Sequence, residues 1–141
     1  MDEAKRELVR SWLLKSSHDL AASRSLAEPE RAILDVAIYH CQQAAEKALK
    51  GFLTSSDRLV ARTHDLRTLL AAAAEIEPSF SSWEDAAERL TPYATLYRYP
   101  GGISEPDREQ VNEALDDASA IYNQVLNYLP VEVHPEDRRD S

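Results

Sequence analysis

The sequence predicts an all-α fold: five helical segments packed as an antiparallel bundle in one domain. Three observations carry this. Apolar residues recur at three- and four-residue spacing through most of the 141 residues, and no stretch alternates convincingly with the period of a strand. Only three glycines occur, while alanine and leucine are plentiful, which favours helices over strands and tight turns. The connections are short, so successive helices pack as antiparallel neighbours.

The first helix is predicted over Asp2 to Ala27, with Leu8, Trp12, Leu13, Ser16, Leu20 and Ser23 as its stripe. "EPER" interrupts it, and Pro29 suits the first turn of a second helix running to Leu53. In that helix Leu34, Ile38, Cys41, Ala45, Ala48 and Phe52 keep the strongest rhythm in the chain, with Gly51 near its end. Thr63 or Asp65 caps a third helix carrying Leu66, Leu69, Leu70 and Ala73. Ser82 and Asp85 resemble a capping pair for a fourth, with Trp83, Ala86, Leu90, Ala94 and Tyr97 as its stripe and "YPGG" as its stop. Pro92 lies inside that stripe, so either the helix kinks there or a new turn starts at Thr91. The fifth helix begins near Pro106 or Asp107 and presents Val111, Leu115, Ala118, Tyr122, Val125 and Leu129. Residues 1–130 are expected to form the domain and residues 131–141 a polar, frayed tail.

Composition narrows the function. The formal net charge is −9, so nucleic acid would have to be held by a local basic patch rather than by bulk attraction. Cys41 is the single cysteine, which excludes an intrachain disulfide and makes a reducing cytoplasm the simplest home. No apolar run approaches the roughly 20 residues that cross a bilayer, so no membrane role is expected. Neither a metal-ligand cluster nor a cofactor motif is evident, and no phosphate-binding glycine loop, GxSxG turn or HExxH helix occurs.

Three stretches hold residues suited to chemistry. On the second helix His40, Gln43, Lys47 and Lys50 line up at helical spacing, with Tyr39, Gln42 and Glu46 beside them. This face is either solvated, with a Glu46–Lys50 ion pair, or a ridge for phosphate, base or partner contacts. In "RTHDL", His64 is a candidate proton carrier, and Asp65 is a cap favoured by the helix dipole. In "PYATLYRYPGG", Tyr93, Tyr97 and Tyr99 surround Arg98; such residues stack on bases and grip phosphate, or close the bundle with Arg98 paired to a carboxylate such as Glu46.

In this order, "YHCQQAAEKALKGFL" (Tyr39 to Leu53), "THDLRTLL" (Thr63 to Leu70) and "LYRYPGG" (Leu96 to Gly102) resemble the HEPN (higher eukaryotes and prokaryotes nucleotide-binding) domain family, as does "SWLLKSSHDLAASRSL" (Ser11 to Leu26). The resemblance spans about Leu8 to Leu129. It implies four main helices plus a shorter one, a homodimer, and in many single-domain members a minimal nucleotidyltransferase partner, some such pairs being toxin–antitoxin systems. It also implies either a non-catalytic module for nucleotide, RNA or partner, or a metal-independent endoribonuclease. The ribonuclease branches place a histidine four to six residues after an arginine. Here Arg98 is followed by no histidine until His134, and Arg58 and His64 have a permitted spacing but lie in the connection before the third helix. The expectation is therefore a non-catalytic binding protein whose groove is lined by His40, Gln43, Glu46, Lys47, Lys50, His64, Asp65, Tyr97, Arg98 and Tyr99, with Glu46 orienting Arg98 or a lysine. The alternative is a ribonuclease using His64 with Arg58, Arg62 or Arg98.

Overall fold

A computed structural model describes residues 1–101 and 104–135. Five α-helices occur among the described residues: α1 (Glu3–Leu26), α2 (Leu34–Ser55), α3 (Leu66–Ile76), α4 (Glu84–Leu90) and α5 (Arg108–Asn127). Short 3₁₀ turns lie in every connection but the one between α2 and α3, which is irregular, and no strand interrupts the helices among those residues. None of these helices is long and apolar enough to cross a membrane.

The helix ends follow from local chemistry. The Asp2 side chain accepts from the Lys5 amide and starts α1. Asp65 does the same for α3 through the Arg67 amide, while Thr63 Oγ1 accepts from the Asp65 amide, so both predicted capping residues serve this helix start. Asp107 caps α5 in a reciprocal capping box with Gln110. The predicted Ser82–Asp85 pair does not cap α4: Ser82 lies in the 3₁₀ turn Pro78–Trp83, and the residue before α4, Trp83, makes no side-chain cap.

Two further expectations are corrected, and the open alternative at Pro92 is decided for the new turn. Pro29 opens a separate 3₁₀ turn, Pro29–Arg31, because Ala32 is extended and the Ile33 amide returns to the Leu26 carbonyl, closing the corner before α2 begins. Pro92 likewise belongs to a new turn, Thr91–Ala94, rather than to a kinked α4, so "YPGG" stops no helix; Gly102 lies outside the described residues. The chain after Pro130 does not fray at once: Val131–Val133 forms a turn, Val133 is fully buried, and His134 Nε2 lies 3.0 Å from both the Leu126 and Leu129 carbonyls. The rest of the predicted tail, residues 136–141, lies outside the described residues.

The core forms around α2. From Ala37 to Leu53 nearly every residue of this helix is buried, polar ones included. The seam Ile38, Cys41, Ala45, Ala48 and Phe52 packs as its spacing predicts. Ala37, Ala44, Leu49 and Leu53 are buried on other sides, so the helix is enclosed rather than laid on a surface. On α1 the core side chain is Val9, in step with Leu13, Ser16 and Leu20, whereas Leu8 is half exposed. Gly51 permits the close approach of α1: a Cβ there would sit 3.1 Å from Trp12 Cβ and 3.3 Å from Leu13 Cδ2. The helix continues past Gly51 and ends in a Schellman motif. Asp57 takes the left-handed position (φ 60°), the Arg58 amide donates to Leu53 O, and the Asp57 amide donates to Thr54 O.

Candidate functional site

The polar residues of α2 separate into two networks. In the first, the buried Asp19 carboxylate of α1 faces His40 Nδ1 at 2.7 Å through Oδ1 and accepts from Lys47 Nζ at 2.7 Å through Oδ2. Asp19 shares its helix face with Ser16, Leu20 and Ser23, so two turns of α1 contribute both core packing and a charge. His40 and Lys47, seven residues apart on α2, bracket it.

The second network centres on Glu46, which is only 5% exposed. Its Oε2 accepts from Lys50 Nζ at 2.9 Å, and its Oε1 lies 2.8 Å from His64 Nδ1 and 3.2 Å from Gln42 Nε2. Gln42, fully buried, also donates to the His64 carbonyl at 2.8 Å and accepts from Gln43 Nε2 through its Oε1. The Lys50 ammonium lies 5.9 Å over the Trp12 ring. Burial by itself would push the Glu46 carboxyl up. The hydrogen bonds from Lys50, His64 and Gln42, with the Lys50 charge, outweigh it and hold the group below the usual carboxylate range. The network therefore keeps a charged carboxylate inside the bundle and ties the connection before α3 to α2.

Of the two partners expected for Glu46, Arg98 or a lysine, the lysine is found: Glu46 pairs with Lys50 and His64, and no pair with Arg98 is formed. Arg98 instead lays its guanidinium 4.1 Å over the Tyr39 ring, and among the described residues no carboxylate pairs with it. Together with Asp35, Val36, His40 and Tyr97 these residues line a pocket of about 200 Å³. Tyr97 is fixed from two sides: its ring stacks with Tyr93 at 6.0 Å, and its hydroxyl accepts from Gln110 Nε2 at 3.3 Å. Because Gln110 also closes the capping box of α5, the start of that helix and the "YRYP" segment share one side chain. Tyr99 points outward and is 72% exposed.

The structure thus places the ten candidate binding residues in different settings. Gln43, Glu46 and Lys50 are inside the protein, partnered with one another or with Gln42 and His64. His40 and Lys47 are partly exposed above Asp19. Asp65 is held by Arg67, whose hydrogen bonds and charge keep its carboxyl below the usual range. Tyr97 and Arg98 line the pocket, with Tyr99 beside them in sequence. His64 keeps an exposed ring whose Nε2 has no hydrogen bond among the described residues. Arg58, its candidate ribonuclease partner, is drawn away to Glu75 on α3 at 2.6 Å.

Sequence reasoning did not single out Asp19 or Tyr39 as partners. Asp19 sits within the stripe of small and apolar residues, and a lone acid there signals a buried partner; Tyr39 lies one turn before Gln43 on the polar face. Cys41 is a core residue: burial pushes its thiol up to about 11, against a weaker lowering by the Ser23 hydrogen bond, so it stays protonated. Among the described residues no three His, Cys, Asp or Glu side chains are arranged to hold a metal ion.

The model of the HEPN domain matches residues 9–128 of the chain. Among solved structures, the crystal structure of TT1696 from Thermus thermophilus is similar at 30% identity and a TM-score of 0.78, over 86% of this chain and 98% of that one. ST0689, described as an archaeal HEPN homologue, is similar at 26% identity and a TM-score of 0.67, over 84% of this chain and 95% of that one. No curated protein matches. The family match runs from the buried Val9 of α1 to the end of α5 and takes in both polar networks and the Arg98 pocket, so the chain belongs to the HEPN domain family.

Proposed function

We propose that this protein is a non-catalytic binding module whose ligand-facing element is the Arg98–Tyr39 pocket, and that its ligand is a nucleotide or an RNA end. One observation carries this reading. Arg98 is a guanidinium without a carboxylate in a salt bridge to it among the described residues, 4.1 Å over the Tyr39 ring beside Tyr97 and His40 in a pocket that Asp35 also lines. That arrangement offers charge to a phosphate and ring faces to a base. The buried Asp19 carboxylate has the complementary task of holding His40 in place.

Family membership supports a wider setting: a cytoplasmic homodimer paired with a minimal nucleotidyltransferase in a toxin–antitoxin-like system. The test is the melting temperature of the purified chain with each nucleotide, with short RNA and with the cognate transferase. A ligand-dependent rise that Arg98→Ala abolishes is the expected result. A chain unmoved by all of them would rule the reading out.

A second reading has its own observation. The buried Glu46 carboxylate orients His64 through Nδ1 and leaves Nε2 free, which is how a general acid–base is held. With Arg58 diverted to Glu75, the phosphate-binding group would be Arg62 or Arg98. Cleavage of total RNA in EDTA by wild type but not by His64→Ala would establish this ribonuclease; equal, negligible cleavage by both would dismiss it.

A further inference from the structure

We infer that the channel between α3 and α4 is a docking groove for a basic amphipathic helix of a protein partner. The channel encloses about 300 Å³ and shares no residue with the Arg98 pocket. Its two walls are built on the same helical spacing but differ in chemistry. Leu70, Ala71 and Ala74 of α3 form an apolar wall, with Leu70 buried at its base and Ala71 open to solvent. Glu84, Asp85 and Glu88 of α4 form an exposed acidic wall; among the described residues none of the three is in a salt bridge, although Glu88 lies within electrostatic reach of Arg67 and Asp85 of Arg89, whose own bridges go to Asp65, Glu113 and Asp117. The cation on the apolar side, Arg67, is already taken by Asp65, through Nε and Nη2 at 3.0 Å each.

An apolar strip beside three unbridged carboxylates selects its occupant by sign and by shape. A nucleic acid or other polyanion is repelled. A helix with an apolar stripe next to a lysine or arginine stripe satisfies both walls, and the alanines of α3 let its backbone come close. Elsewhere on α4, Arg89 holds Asp117 of α5 through two bonds of 3.0 Å, so that pair is closed within the chain while the groove's acids are left open.

The test uses the full chain and a fluorescently labelled amphipathic peptide of leucine and lysine at helical spacing, followed by anisotropy at low salt. Saturable binding is expected, with none for the same peptide carrying glutamate in place of lysine. The triple variant Glu84→Gln/Asp85→Asn/Glu88→Gln is expected to weaken binding about tenfold or more. Ala71→Phe, which obstructs the groove and leaves every charge in place, is expected to weaken it too. Removing as many charges at and before α5, by Glu105→Gln/Glu109→Gln/Asp116→Asn, leaves it unchanged. Absence of saturable binding, equal weakening by the two triple variants, or wild-type binding by Ala71→Phe would each overturn the proposal.

Discussion

The polar side of α2 and the "YRYP" segment each present a cation beside hydrogen-bonding or aromatic groups and end in opposite states. Around Glu46 every charge is answered within the chain: Lys50 on Oε2, His64 and Gln42 on Oε1. At Arg98 the charge rests on the Tyr39 ring with no carboxylate partner among the described residues. The contrast separates two roles that look alike in a sequence. A buried, saturated network holds elements in register, and removing one member leaves the others stranded in a poorly solvating interior. An exposed cation on an aromatic shelf contributes little to folding and stays available to a ligand.

The comparison breaks most visibly at Glu46. Glu46→Ala leaves Lys50 buried without its counter-charge, and a loss of about 3–5 kcal/mol is expected in urea unfolding. Asp19→Ala removes the shared acceptor of His40 and Lys47. Both of these are partly exposed and can turn to water, so the expected loss is smaller, about 1–3 kcal/mol. Arg98→Ala is expected to change stability by less than about 1 kcal/mol while abolishing any nucleotide-dependent rise in melting temperature. If it unfolded the chain instead, the distinction between the two regions would be lost.

Acid sharpens the same contrast. The folded Glu46 carboxyl titrates below its unfolded counterpart. Its contribution to stability is therefore fully present above the ordinary carboxylate range and is lost as pH falls through the folded value. Glu46→Gln should flatten that part of the stability–pH curve, whereas Arg98→Ala should leave it unchanged. The smallest effect is expected at Asp57, the left-handed residue that closes α2: Asp57→Gly removes the backbone cost of a side chain there but also its exposed ion pair with Lys5, so the net change in stability is expected to stay within about 1 kcal/mol.

Much of the fold was legible because it is local. The seam of α2 and the Thr63–Asp65 cap of α3 can be read from spacing within a few residues. The failures were local signals overruled at a distance. Ser82 and Asp85 have capping spacing, yet the chain there is wound into a 3₁₀ turn that buries Phe80 against Phe52 of α2, with ring centroids 4.7 Å apart. Pro29 suits a helix start, yet the return of the Ile33 amide to Leu26 ends that turn early. In the candidate site, His64 was recognisable by its chemistry and Arg98 by its company of tyrosines. Their partners were not, because Glu46 lies eighteen residues before His64 and Tyr39 far before Arg98.

By itself the sequence determined that the chain is helical, where most helices begin and end, and which stripe of α2 enters the core. Those properties depend on periodicity and on hydrogen bonds between near neighbours. Only the tertiary structure decided that the polar side of α2 is also enclosed, that Glu46 goes to Lys50 and His64, and that Arg98 settles on Tyr39. A helix cannot encode what covers its second face; that is set by α1 and the connection before α3 packing over it, which turns a row of charges that would suit water into a buried network that must be satisfied from within.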